Sequence, residues 1–232
     1  MTAADASANG GRKFVLGLST SPRRKGNSAL LCRAILEGAA AAGHRTEFVH
    51  LPDVATAMLR NCRECRRPDG SCSIDDGYRD LFLDKVLPAD ALVFATPIWW
   101  YGMSAGLKNY FDRMFCYCAL SNPGHEDVHR RIVGKRVALA LSAEENNFAA
   151  RLAIVQQVQE LSRYMHYEMV GIVTGIGNKT GEATDDPTGP IAEARQLGRR
   201  LFGIEMTDYK LDTVRAQRIW REDNKSFPAY WR

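Results

Sequence analysis

Two loops carry the residue types best suited to chemistry. The first reads Ser19-Thr20-Ser21-Pro22-Arg23-Arg24-Lys25-Gly26-Asn27-Ser28 and runs straight into a helical pattern. A helix start presents backbone N–H groups without intrahelical partners, which favours an anion there. Serine hydroxyls and an asparagine amide can donate to phosphate oxygens, and Arg23 can pair with them. The loop has neither GxGxxG nor a Gly-Lys-Ser/Thr ending, so it is neither a dinucleotide fingerprint nor a Walker loop. The plainer alternative makes Asn27 or Ser28 a helix cap and leaves Arg23, Arg24 and Lys25 in water. The second loop is Thr96-Pro97-Ile98-Trp99-Trp100-Tyr101-Gly102-Met103-Ser104. A sheet does not need three consecutive aromatics at a strand end. Two of them can lie against a flat ring, and Gly102 lets backbone approach it. The alternative is a plug for the core or for a subunit interface. Ser104 is placed to cap the next helix.

The elements that position these loops alternate along the chain. β-rich runs span Lys13–Ser19, Arg45–Leu51, Ala91–Pro97, Lys135–Ser142 and Tyr167–Gly175. Between them lie stretches with helical spacing. Leu31, Ile35, Gly38 and Ala42 recur on one face, with Gly43 as a stop. Leu81, Phe82, Lys85 and Val86 form a second stripe, and Leu107, Tyr110, Phe111 and Met114 a third. Leu152, Val155, Val158, Gln159 and Ser162 form a fourth, and a last helix is expected over Ile191–Phe202. Such alternation implies right-handed crossovers and a parallel sheet. The second run keeps Arg45, Glu47 and His50 and reads as an edge strand. The expected fold class is α/β, a flavodoxin-like doubly wound five-stranded parallel sheet of order 2-1-3-4-5 in three α/β/α layers. Ligands of such sheets bind beyond the strands' carboxyl ends at the switch point, where the two loops must meet.

Composition narrows the classes. The 232 residues suit one sizeable core, and 45% hydrophobic with 25% charged residues is ordinary globular composition. A net charge of +4 is too small to argue for nucleic acid. No apolar run approaches the roughly 20 residues of a membrane span. The start, MTAADASANGGRK, has no apolar h-region. A soluble, cytoplasmic protein is expected. Its six cysteines then read as thiols, metal ligands or redox groups rather than a disulfide framework. Residues 1–12 read as a flexible tail, 13–204 as the domain, and 205–232 as an extension whose aromatics suit a lid or dimer arm.

The motifs SxSPRxxGNS and TPIWWYGMSAGLKNYFDR, in order and at the right strand ends, resemble the flavodoxin-like NAD(P)H-dependent FMN and quinone reductases. The branch that includes the iron–sulfur flavoproteins is especially similar. The resemblance spans roughly residues 13 to 204. It implies FMN as cofactor and NAD(P)H as co-substrate. Ser19, Ser21, Arg23, Asn27 and Ser28 would hold the phosphate. Pro97, Ile98, Trp99, Trp100, Tyr101, Gly102 and Met103 would contact the ring and ribityl chain. Ser142 would begin a third bordering loop. Two departures stand out. That third loop is acidic (Ser142-Ala-Glu-Glu-Asn-Asn147) where many relatives are Gly-rich, and Trp99 replaces a usual Tyr.

Iron–sulfur flavoproteins also carry four cysteines in a compact run. This chain matches three, Cys62, Cys65 and Cys72, and has none near Arg66 to Pro68. A cubane cluster normally takes four. Cys116 or Cys118 as a fourth ligand, zinc, a redox-active dithiol, or reduced packing cysteines are the alternatives. Nearby Arg63, Arg66 and Arg67 favour reactive thiols if the loop is exposed. Asp75 and Asp76 read as helix-capping residues. His125 and His129 read as a surface loop, His166 as structural, and Gly175–Gly181 as a flexible connection. The expected function is an FMN-dependent NAD(P)H oxidoreductase acting on a quinone, flavin or other aromatic acceptor, as a homodimer or homotetramer, with no nucleic-acid or membrane partner. The competing readings are a flavodoxin-type electron carrier, a specialised biosynthetic flavoenzyme with a cysteine-pair relay, and a flavin-free scaffold.

Overall fold

A computed structural model describes residues 11–61, 64–118 and 127–205. Among the described residues six strands form: β1 (Phe14–Ser19), β2 (Arg45–His50), β3 (Ala91–Trp99), β4 (Gly102–Met103), β5 (Arg136–Ala143) and β6 (Glu168–Ile176). The five long strands pair in parallel in the order β2-β1-β3-β5-β6. In sequence rank among the long strands this is the 2-1-3-4-5 order expected. The sixth strand is an addition: β4 folds back antiparallel on the end of β3, pairing Met103 with Ile98 and Gly102 with Trp99. The aromatic loop is therefore a hairpin rather than an open crossover.

β1 is buried along its whole length because helices cover both faces, and β2 is exposed at its start because it is the edge. Alternation along β1 divides the core. Phe14, Leu16 and Leu18 face one apolar cluster, Val15 the other. The first cluster takes side chains from α2 (Tyr78–Asp80, continued by a π-helical stretch over Leu81–Val86), α3 (Ala105–Cys118), α4 (Val128–Ile132) and α5 (Phe148–Tyr164). The second takes α1 (Asn27–Ala41) and α6 (Pro190–Arg200). The result is three layers. α1 and α6 cross in near backbone contact: a Cβ on Gly38 would lie 2.0 Å from the Arg195 carbonyl oxygen, and one on Gly198 1.9 Å from that of Ile35. Only glycine permits this approach.

Two sequence expectations change. On α5 the inward stripe is Ala150, Ile154, Val158 and Ser162, so the expected Leu152 and Gln159 lie outside it, both exposed. The N-cap of α2 is Gly77, with no side-chain cap; Asp76, one residue earlier, accepts from the Tyr78 N–H and forms a buried ion pair with Arg113, their nearest atoms 2.6 Å apart. The Arg113 guanidinium stacks over Tyr78. No helix among the described residues is long and apolar enough to cross a membrane. Residues 1–10 and 206–232 lie outside the described residues, so the tail and most of the extension do too.

Candidate functional site

β1 and β3 are neighbours, yet their connections leave in opposite directions, to β2 on one side and to β5 on the other. This is the switch point, and their carboxyl ends open there. Hydroxyl groups tie the opening together. Thr20 donates from its backbone N–H and its hydroxyl to the Ala95 carbonyl, at 2.9 and 3.0 Å. The Ser104 hydroxyl donates to Thr20 Oγ1 at 2.7 Å, and the Ser104 N–H donates to Thr96 Oγ1 at 2.9 Å. Ser104 also meets the Leu107 N–H at the start of α3, as its expected capping role requires. The first loop, the end of β3 and the start of α3 are thus one buried unit.

Hydrogen bonds within the chain fold the first loop. The Ser21 hydroxyl donates to the Arg23 carbonyl at 3.0 Å and accepts from the Arg23 N–H at 3.2 Å. Gly26 lies against this turn, since a Cβ there would fall 2.3 Å from Ser21 Oγ. Gly26 is the N-cap of α1, and no side chain caps the helix. The first-turn N–H groups of α1 are therefore left for an anion. Ser19 and Ser28 are fully buried, with hydroxyls that find no protein partner.

A cleft of about 210 Å³ lies over this loop, and a second of about 320 Å³ adjoins it through Ile98, Ala143 and Glu144. Ser21, Arg23, Asn27, Pro97, Ile98, Trp99 and Ser142 line the first. Trp100 and Tyr101 line the second, with Glu145 and Ala150 opposite. Nine of the thirteen residues expected at the site are therefore brought together. Ser19, Ser28, Gly102 and Met103 are not in either lining, and Met103 packs against the core instead. The acidic loop after β5 does border the cleft, through Glu144, and Asn178 donates to the Glu144 carboxylate at 2.9 Å.

The loop after β6 is a correction. Gly177 and Asn178 line the cleft, so this segment is a wall of the site, not a slack connection. Asn27 holds it there. Its amide donates to the Gly177 and Lys179 carbonyls at 2.9 and 3.0 Å and accepts from the Gly181 N–H at 2.9 Å. The Asn27 amide is thus engaged within the chain, while its backbone N–H stands at the start of α1. Two carboxylates fasten this loop from behind the lining residues. Burial pushes the Asp186 carboxyl up, but N–H donors from Ile176 and Thr188 hold it below its usual 3.8. Glu182 is likewise held low by the Lys179 and Asn178 N–H groups.

The hairpin tip is strained in a definite way. Trp100 and Tyr101 have φ of 47° and 61°, the left-handed region that two-residue hairpin turns require and that Asn-Gly usually fills. Trp100 is 96% exposed, and Trp99 and Tyr101 beside it are about half exposed, so the tip presents a run of aromatic faces to the surface.

The cysteine loop lies apart. Cys62 and Arg63 are outside the described residues. Arg66 and Cys72 form an antiparallel bridge, the Ser73 N–H donates to the Cys65 carbonyl, and Arg66 lies over Phe115 near the end of α3. Among the described residues, no three His, Cys, Asp or Glu side chains converge to hold a metal. His125 also lies outside them, and His129 is on α4.

Comparison with known proteins matches residues 13–196 to a family described as having a flavodoxin-like fold. The chain belongs to that flavodoxin-like family. An iron–sulfur flavoprotein of Methanocaldococcus jannaschii is 30% identical over 201 residues, 82% of this chain and 96% of that protein. A Bacillus subtilis protein named as an NAD(P)H-dependent FMN-containing oxidoreductase is 27% identical over 177 residues, 76% of this chain and 92% of that one. In fold, the chain is similar to an NAD(P)H:quinone oxidoreductase from Methanothermobacter marburgensis, with a TM-score of 0.63, 19% identity, and coverage of 85% of this chain and 100% of that one. The matched span starts just before β1 and ends within α6. It includes every flavodoxin-like element that lines the two clefts.

Proposed function

We propose that this flavodoxin-like protein binds FMN in the joined clefts and acts as an NAD(P)H-dependent oxidoreductase on a small aromatic acceptor such as a quinone or a flavin. One observation carries the reading. The uncapped start of α1, with Arg23 beside it, shares a cleft with Trp99 and opens toward Trp100 and Tyr101. An anion site continuous with aromatic faces at a switch point suits a phosphate joined to a flat ring. The names of the two relatives above, one a flavoprotein and one FMN-containing, support it.

The residues present fit the group. The α1 N–H groups, Ser21 and Arg23 would hold the phosphate, and Gly26 leaves backbone room for it. Ile98 and the three aromatics would hold the ring. FMN, when bound, supplies the redox chemistry, accepting hydride from reduced nicotinamide and delivering electrons to the acceptor. The chain's own part is placement and polarity. Arg23 balances the phosphate charge. Glu144 and Glu145 line the second cleft and repel the phosphates of a dinucleotide from it, leaving it to an uncharged or cationic ring.

The exposed apolar side chains Trp100, Phe148 and Leu152 support a homodimer or homotetramer. Steady NADPH or NADH oxidation by FMN-loaded protein with a soluble quinone tests the function. Turnover without any partner protein is expected. Flavin bound but never reduced by either nicotinamide would leave an electron carrier instead.

A further inference from the structure

We propose that His50 is the positioning residue of the phosphate loop. The inference rests on the FMN reading and deepens it. His50 ends β2 and pairs in register with Ser19, so its ring emerges beside the point where β1 releases the loop. The ring is buried. Its Nε2 lies 2.7 Å from the Ser21 carbonyl oxygen. A carbonyl only accepts, so Nε2 carries the hydrogen and donates. On the other side, Nδ1 lies 3.0 Å from Asp53 Oδ2, and Arg24 Nη2 lies 2.8 Å from the same oxygen. The short 3-10 turn Leu51–Asp53, stiffened by Pro52, presents that carboxylate.

The end of β2 thus grips the loop on both sides of Arg23, at the Ser21 carbonyl and at the Arg24 guanidinium. Arg23 lines the cleft, and Arg24 does not. The grip at Ser21 matters for a second reason. Residue 22 is proline, so the Ser21–Pro22 peptide has an acceptor and no N–H donor. It is a group in an anion-binding loop whose exposed oxygen would repel a phosphate. His50, which is outside both cleft linings, holds that oxygen away from the site. The Asp53–Arg24 pair is largely exposed and contributes less. The buried ring-to-carbonyl bond is the main grip.

The test is binding of FMN and of riboflavin, which differ only in the phosphate, to the full-length protein and its variants, with thermal melting alongside. His50→Leu keeps bulk and removes the donor. It should weaken FMN about tenfold or more while riboflavin changes less than about twofold. His50→Gln restores an N–H donor and should recover FMN affinity to within about threefold of wild type. Equal losses for FMN and riboflavin, no loss of FMN, or a well-folded Gln variant as weak as Leu would each overturn the proposal. Wild-type protein that binds FMN no better than riboflavin would overturn the phosphate reading itself, and is distinguished because it appears before any variant is made.

Discussion

Asn27 shows how a residue type and its use can part company. Its place after Gly26 fits a phosphate donor, yet its amide spans a sequence gap of about 150 residues to hold the loop after β6. Nothing local in the sequence signals that partner, because the contact exists only once β1 and β6 share a sheet. Thr20 and His50 were legible only as loop and edge-strand residues for the same reason. Their partners are the Ala95 carbonyl and the Ser21 carbonyl, backbone groups with no signature. Asn27→Ala leaves the loop's backbone groups without partners in a part-buried site. We expect a stability loss of about 2 to 4 kcal/mol in chemical denaturation and weaker FMN binding. Unchanged stability would mean that the loop holds its place without Asn27.

At the scale of elements, the β3–β4 hairpin and the α1–α6 crossing decide the site's shape. The five long strands were legible because buried parallel strands leave apolar runs. The two-residue β4 was not, since a Gly-Met pair carries no pattern and the turn residues are aromatic rather than Asn-Gly. That mismatch is itself informative. Holding two bulky residues in left-handed geometry costs about 1 to 2 kcal/mol each. Replacing Trp100-Tyr101 by Asn-Gly should therefore raise stability by about 1 kcal/mol or more and weaken FMN binding. A denaturant titration and a flavin titration on the same variant check both halves. Stabilisation with full FMN affinity would remove the hairpin aromatics from the site. The α1–α6 crossing was legible in part: Gly38 stood out on the helical face, but its partner Gly198 did not.

For the whole molecule, acid is the telling variable. Burial pushes the Asp76 carboxyl up, but the Arg113 guanidinium and the Ala57 and Tyr78 N–H groups hold it below 3.8, and Asp186 is held low as well. A carboxyl lowered on folding contributes stability that is full above its unfolded value and is lost as pH falls through the lower folded value. Stability should therefore decline below about pH 4 and fall further toward pH 2. Asp76→Asn strands the buried Arg113 charge and should cost about 3 to 5 kcal/mol at neutral pH, with a flatter acid limb. Urea midpoints measured from pH 7 to pH 2 check the slope. A steep acid limb that persists in Asp76→Asn would place the titrating groups elsewhere.

The central claim is that this flavodoxin-like chain carries an FMN that nicotinamide can reduce. The most direct measurement is the visible absorption spectrum of the protein with FMN, recorded anaerobically before and after NADPH or NADH. The account predicts an oxidised-flavin spectrum, perturbed from that of free FMN, that bleaches on adding the nicotinamide. A protein that stays colourless and leaves the spectrum of added FMN unchanged would contradict it and leave the fold without the function.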